Sequence, residues 1–253
     1  MALVRNELPI LEYDGEQQAL LMPNRQEHYT LPRRAVLFFH AEAVAAWAQA
    51  HDAVQVGEFV NITKATPLYR VAWQGWSLGL CAAPLGASAA AQLLDFLIAC
   101  GCTEVIAGGS CGALEPLAEG AFLVPERALR AEGASYHYLP PARWVETDAA
   151  LQERLCRVLA RRGLPVQRCA TWSTDGFFRE TPDMVAARRA EGCAVVEMEC
   201  AALAACARFR RIRLAQLLYT ADSLAGLAHE DRGWGENAVE TALELCLDAA
   251  AEP

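Results

Sequence analysis

The run Val195-Val196-Glu197-Met198-Glu199-Cys200 places two carboxylates where an apolar strand opens into a helix, so the fold must satisfy acids at a strand end. Taking a carboxylate out of water is costly unless hydrogen bonds replace the lost hydration. A strand-end carboxylate facing a pocket can meet this demand by accepting two hydrogen bonds from a cis-diol, such as the 2′- and 3′-hydroxyls of a ribose. The same acids would also suit the first turn of a helix, where the macrodipole favours negative charge. The fragment alone leaves both readings open.

Strands and helices alternate around this junction. Residues 35–39 read as a buried strand and 41–50 as an alanine-rich helix with apolar spacing. Short β-rich runs at 54–60, 67–73 and 76–82 are separated by the turn signals Lys64-Ala65-Thr66 and Gln74-Gly75. Helices are expected over 87–99, 145–162 and 236–250, and from Thr181-Pro182-Asp183 onward; further strands are expected over 104–107, 122–124 and 214–219. The alternation predicts an α/β protein, a three-layer α/β/α sandwich around a mixed central sheet. No linker composition divides residues 1–253, so one domain is expected, with 1–34 as an extended N-terminal arm.

Composition narrows the function classes. A net charge of −9 argues against a nucleic-acid partner. No run is long enough to cross a bilayer and the first residues lack a charged head followed by an apolar core, which predicts a cytoplasmic protein with no membrane partner. The ten cysteines lie within apolar segments and read as reduced, small hydrophobic residues. The spacing of Cys100 and Cys102, with no histidine close by, does not suit zinc, and no metal is expected.

Four further motifs accompany the acid pair. Gly108-Gly109-Ser110-Cys111-Gly112 follows a strand and reads either as a turn or as a place where backbone N–H groups approach a ligand. Glu132-Gly133-Ala134-Ser135-Tyr136-His137-Tyr138 and Ser173-Thr174-Asp175-Gly176-Phe177-Phe178 come next, and Thr220-Ala221-Asp222-Ser223 ends the strand at 214–219. In this order the set resembles the nucleoside phosphorylase family, which includes purine nucleoside phosphorylases, uridine phosphorylases and methylthioadenosine nucleosidases. The likeness runs from about residue 35 to residue 248.

The resemblance implies a pentosyltransferase acting on a small-molecule nucleoside. It needs no cofactor beyond phosphate as a co-substrate. Gly109 and Ser110 would meet phosphate or ribose, Phe177 would pack on the base, and Met198 would lie under the sugar. Glu199 would take the ribose hydroxyls, while Glu197, the second candidate, has a structural role as its alternative. Asp222 matches the acid that purine-cleaving relatives carry near the leaving base, where it can donate a proton as the bond stretches; capping the following turn is the alternative. Relatives complete each site with a neighbouring subunit, so a homodimer or higher oligomer is expected, with Phe59, Trp73 and Trp76 toward the neighbour.

The departure from the family lies in its phosphate site. Relatives hold the dianion with arginine forks, but alignment of Phe39-His40-Ala41-Glu42-Ala43-Val44 with the family's Gly-Asp-Pro-x-Arg-Val puts Ala43 at one arginine position and Phe39 at the glycine. Gly57 and Ala107 occupy the other two arginine positions. Phosphorolysis of a purine-type nucleoside ranks first, with Arg179, His40, Arg33 or Arg232 as replacement cations. Hydrolysis with an acid such as Glu42 activating water, and nucleoside binding without chemistry, are the alternatives. The segment from His229 to Trp234 departs from the family's usual loop and reads as a polar surface turn anchored by Trp234, or as a cover for the base.

Overall fold

Hydrogen bonding draws ten strands into one mixed sheet. The computed structural model describes residues 3–253, so the first two residues of the expected arm lie outside it. In chain order the elements are β1 (Arg34–Phe38), α1 (Ala41–Ala50), β2 (Val54–Val60), β3 (Ala65–Trp73), β4 (Trp76–Ala82), α2 (Ala87–Ala99), β5 (Glu104–Ala113) and β6 (Phe122–Ala131). They continue with β7 (Trp144–Glu146), α3 (Ala149–Arg161), β8 (Arg168–Thr174), α4 (Pro182–Ala190), β9 (Cys193–Glu197), α5 (Cys200–Arg210), β10 (Arg213–Ser223) and α6 (Val239–Ala251). Helices α1, α3 and α6 share an apolar cluster on one face of the sheet that includes Phe38, Trp47, Leu155 and Leu243. On the other face α2 and α5 pack around Leu94, Leu97, Leu203 and Cys206. The expected α/β/α sandwich around a mixed sheet is borne out.

The strand order is β10-β6-β8-β9-β5-β1-β4-β3-β2, and β10 also pairs with β5, which closes β5, β10, β6, β8 and β9 into a ring. Strand β5 is the pivot. Along one edge it pairs with β10 in parallel, while along the other it pairs with β1 as far as Gly108 and then with β9 from Gly112. Gly109, Ser110 and Cys111 therefore lie where β5 exchanges one neighbour for another. Such a divergence leaves a crevice at strand ends, the usual place for a ligand in an open α/β sheet.

Several expected boundaries change. The glycine-rich motif is strand rather than loop, because the β5–β10 ladder continues through it with a register shift between Thr220 and Asp222. Its glycines serve packing: a Cβ on Gly108 would lie 2.5 Å from Cys246 Sγ, and one on Gly109 would lie 3.0 Å from the Phe39 side chain. The helix expected over 145–162 begins at Ala149, because Trp144–Glu146 joins β6 as β7 and Asp148 caps α3 by accepting from Leu151 N at 3.0 Å. The helix expected from 236 begins at Val239, since Gly233, Trp234 and Gly235 in succession have left-handed φ of 69°, 60° and 68°.

The arm holds a short 3₁₀ turn at Pro9–Leu11 and is docked rather than free. Asn24 Nδ2 donates to Ala99 O at 3.2 Å, Arg210 Nη1 donates to Gln17 O at 2.6 Å, and Tyr29 packs edge-on against Phe96. Two of the aromatics expected to face a neighbouring subunit are turned inward. Trp73 donates to the buried Asp248 at 2.9 Å and Phe59 packs on Phe96, while Trp76 is exposed beneath the Arg34 guanidinium. Among the described residues, no helix is long and apolar enough to cross a membrane.

Helix α5 ends at Arg211 in the left-handed conformation (φ 61°, ψ 39°), where glycine is normally favoured. Arg211→Gly is expected to raise stability by about 0.5–1 kcal/mol, as the relieved strain exceeds the added chain entropy of glycine. Urea unfolding of the two proteins checks this as a higher midpoint.

Candidate active site

The crevice beside β5 opens into a cavity of about 790 Å³ lined by all seven expected site residues: Gly109, Ser110, Phe177, Glu197, Met198, Glu199 and Asp222. Phe39, Asp175, Arg179, Glu180, Gln216 and Trp234 also line it. Strand ends bring these groups together. Gly112 makes room for Asp222, since a Cβ there would lie 3.1 Å from Asp222 Oδ1.

The two acids of the Glu-Met-Glu run differ sharply. Glu197 Oε1 accepts from Ser173 Oγ at 2.5 Å and Thr171 Oγ1 at 3.3 Å, and its Oε2 accepts from the backbone N–H of Glu199 at 2.7 Å and of Cys200 at 2.6 Å. Its acceptor capacity is spent inside the protein, on the strand β8 and the first turn of α5. Glu199 is buried at 5 % exposure, and its Oε1 accepts from Gly86 N at 2.5 Å, at the start of α2. The other donor near this carboxylate among the described residues is the backbone N–H of Met198, and no side chain hydrogen-bonds to it. Burial pushes Glu199 well above the usual carboxylate range, with the neighbouring Glu197 adding to the effect and the Gly86 N–H opposing it. Burial raises Glu197 as well, against the four hydrogen bonds that favour its charged form.

Asp222 is 8 % exposed, and its Oδ2 lies 3.0 Å from His229 Nε2. Glu180, close by, is pushed up to about 7 by burial and by the Asp222 carboxylate, with His229 acting the other way. The sequence gives little sign of this grouping, because His229 and Glu180 reach Asp222 only through the folding of two irregular segments. Trp234 lines the cavity at half exposure, so the segment His229 to Trp234 borders the site rather than forming a remote surface turn. Asp175 is tied to the Glu132-Gly133 motif through Gly133 N, which donates to Oδ2 at 2.8 Å.

At the end where the resemblance would place phosphate, the replacement cations do not converge. His40 Nδ1 accepts from Ala43 N at 3.1 Å and caps α1. Arg33 lies in a separate depression with Arg34, Thr103 and Glu104, and Arg232 donates to Leu117 O at 2.6 Å. Glu42 is exposed on α1 and does not line the cavity. An arginine at position 57 would have no room, since a Cβ there would sit 2.7 Å from the Tyr29 ring. Arg179 is the one cation among the lining residues, against the carboxyls of Asp175, Glu180, Glu197, Glu199 and Asp222. The Phe39 ring packs on Gly109, and Gln216, buried on β10 opposite Ala107, has an Oε1 with no hydrogen-bond partner among the described residues. No group of three or more His, Cys, Asp or Glu side chains among the described residues is arranged to hold a metal ion.

The sequence from 33 to 252 matches the family model of the phosphorylase superfamily, and the chain belongs to that superfamily. Solved structures with the same fold include uridine phosphorylase from Vibrio fischeri ES114, at 19% identity and a TM-score of 0.79, covering 92% of this chain and 99% of that one. Purine nucleoside phosphorylase from Toxoplasma gondii in complex with immucillin-H matches at 16% identity and a TM-score of 0.77, covering 93% and 97%. AMP nucleosidase from Bacteroides thetaiotaomicron VPI-5482 matches at 22% identity and a TM-score of 0.67, covering 85% and 86%. No curated protein matches the chain.

Glu180 and Glu199 both hold a proton more tightly in the fold than as free carboxyls, so the native state binds more protons than the unfolded chain from about pH 4.5 to 7. Stability is therefore expected to fall as pH rises through this window. Glu199→Gln should flatten the slope, measured by urea unfolding at pH 5 and pH 8. Ser173→Ala, which strips one donor from the buried Glu197, should lower stability by about 1–3 kcal/mol in the same measurement at pH 7.

Proposed function

We propose that the chain cleaves the N-glycosidic bond of a purine-type nucleoside, with water in preference to phosphate as the acceptor. The reading rests chiefly on the cavity lining, where the Phe39 ring covers Gly109 and Arg179 stands alone among five carboxyls. A phosphate dianion needs several charge-assisted hydrogen bonds, each worth roughly 1.5–3 kcal/mol, and this lining offers one exposed guanidinium. The structural relatives include a protein named as a nucleosidase beside those named as phosphorylases.

In this scheme Glu199 Oε2 meets the ribose hydroxyls, Met198 lies under the sugar, and Phe177, which is 42 % exposed, folds over the base. Ser110 faces the sugar and the acceptor. The bond from C1′ to the base nitrogen breaks with its electrons moving to the base, and Asp222 supplies a proton to the base. The new bond from C1′ to the water oxygen releases the water's proton to solvent. Asp222 favours a purine, whose ring nitrogen can take that proton. Assembly belongs to the same proposal: Val54, Val60 and Ile62 expose apolar surface on and beside the edge strand β2, and a homo-oligomer would cover it.

A nucleoside panel read by free-base release is expected to show turnover of purine ribonucleosides in phosphate-free buffer, yielding free pentose, with no gain at millimolar phosphate. Release that depends on phosphate and yields a pentose 1-phosphate would restore the phosphorylase reading, and tight binding without release would leave a nucleoside-binding protein. Asp222→Asn is expected to slow base release by roughly 10²-fold with affinity little changed. Glu199→Gln should instead weaken ribonucleoside binding, measured by calorimetry.

A further inference from the structure

His229 lies on the segment after β10, and both of its ring nitrogens meet carboxylates. Nε2 is 3.0 Å from Asp222 Oδ2, and Nδ1 is 3.1 Å from Asp231 Oδ1. A neutral imidazole has one N–H, so it can donate to one of these oxygens and must turn a lone pair toward the other. A carboxylate has no hydrogen for that lone pair. Both contacts are hydrogen bonds only when the group carries one more proton than a neutral imidazole between two carboxylates. When that proton is present, it lies beside the acid that the reading above gives to the leaving base.

The surroundings fit that role. Glu180, which follows the turn at Phe177–Arg179, faces Asp222 and His229 across a side chamber of about 440 Å³ that shares Phe177, Phe178, Trp234 and Asp222 with the main cavity. The Trp234 ring lies 5.6 Å from the imidazole. Three carboxyls, Asp222, Asp231 and Glu180, thus face the imidazole, while the nearby Glu230 and Arg232 pair with each other. The His229 side chain is 42 % exposed and that of Asp222 only 11 %, so solvent reaches the imidazole more readily than the acid. The two Asp222 oxygens are also divided: Oδ2 meets His229, while Oδ1 lies over Gly112, a residue that lines the main cavity.

We propose that His229 is a positioning residue for Asp222, fixing its Oδ2 so that Oδ1 presents the proton to the departing base. The proposal rests on the glycosidic-cleavage reading, but not on which acceptor is used. The reacting form carries two protons beyond a neutral imidazole and two carboxylates, one on His229 and one on Asp222 Oδ1. As the bond from C1′ to the base nitrogen breaks with its electrons moving to the base, the Oδ1 proton passes to that nitrogen. The carboxylate left behind is stabilised by the N–H of the imidazolium. Once products leave, a proton taken up from water through the exposed imidazole restores the acid.

The test compares kcat/KM against pH for wild type, His229→Gln, His229→Asn and Asp231→Asn, using a nucleoside found in the panel. Glutamine and asparagine can still donate a hydrogen bond but cannot carry the charge. Both His229 variants are expected to lower kcat by about tenfold or more, with KM changed by less than about threefold, and to displace the alkaline decline of the wild-type profile. Asp231→Asn should have a smaller effect in the same direction. Profiles for the His229 variants that superimpose on wild type, or a loss confined to KM, would overturn the proposal. Should the wild type release no base from any nucleoside, the functional reading fails on its own terms. The pairing is then judged by nitrogen-15 NMR of the imidazole, where Asp222→Asn is expected to move the Nε2 resonance; an unmoved resonance would overturn the proposal.

Discussion

Leaving the oxygens of Glu197 bare inside the protein would cost several kcal/mol, and four donors prevent it: the hydroxyls of Thr171 and Ser173 on β8, and the N–H groups of Glu199 and Cys200 at the start of α5. Ser173 Oγ also accepts from Ala201 N at 2.9 Å, so the same hydroxyl ties the strand to the helix a second time. One carboxylate on β9 therefore sets where β8 stops, where α5 begins and which way Glu199 points. The acid that lines the cavity at 199 is held in place by the acid at 197.

The exchange of partners along β5 supplies the space. Because β1 leaves at Gly108 and β9 arrives only at Gly112, the strand between them has one open edge, and the cavity forms there. The glycines let Phe38, Phe39, Cys246 and Asp222 come close to bare backbone. Phe39 puts an aromatic ring against Gly109 at one end of the cavity.

Much of the architecture was legible because period and punctuation agreed: 41–50, 54–60, 76–82 and 87–99 coincide with α1, β2, β4 and α2. The strand-to-helix junction at Glu197 to Cys200 was legible as well, because acids at the end of an apolar run need an explanation. Local pattern failed where distant partners decide. Trp144–Glu146 is a strand because β6 offers an edge, and Gly108 to Gly112 is a strand because β10 runs alongside. Phe59 and Trp73, expected toward a neighbouring subunit, find Phe96 and Asp248 within the chain. The contact of His229 with Asp222 depends on the path of a loop, which no periodicity encodes.

All ten cysteines are unpaired and buried, and they are spread through several packed layers. Cys81, Cys100, Cys102 and Cys206 lie under α2 and α5, Cys156 and Cys246 lie on the opposite face, and Cys111 and Cys169 lie inside the ring of strands. Burial pushes Cys100 up to about 11 and Cys102 up to about 12, and it moves the others in the same direction. Since the thiolate is the reactive form, each sulfur is protected both by lack of access and by its retained proton. Alkylation must then wait for the layer around a given thiol to open. The protein carries its own set of clocks, and the order in which its cysteines become labelled would record which layer separates first.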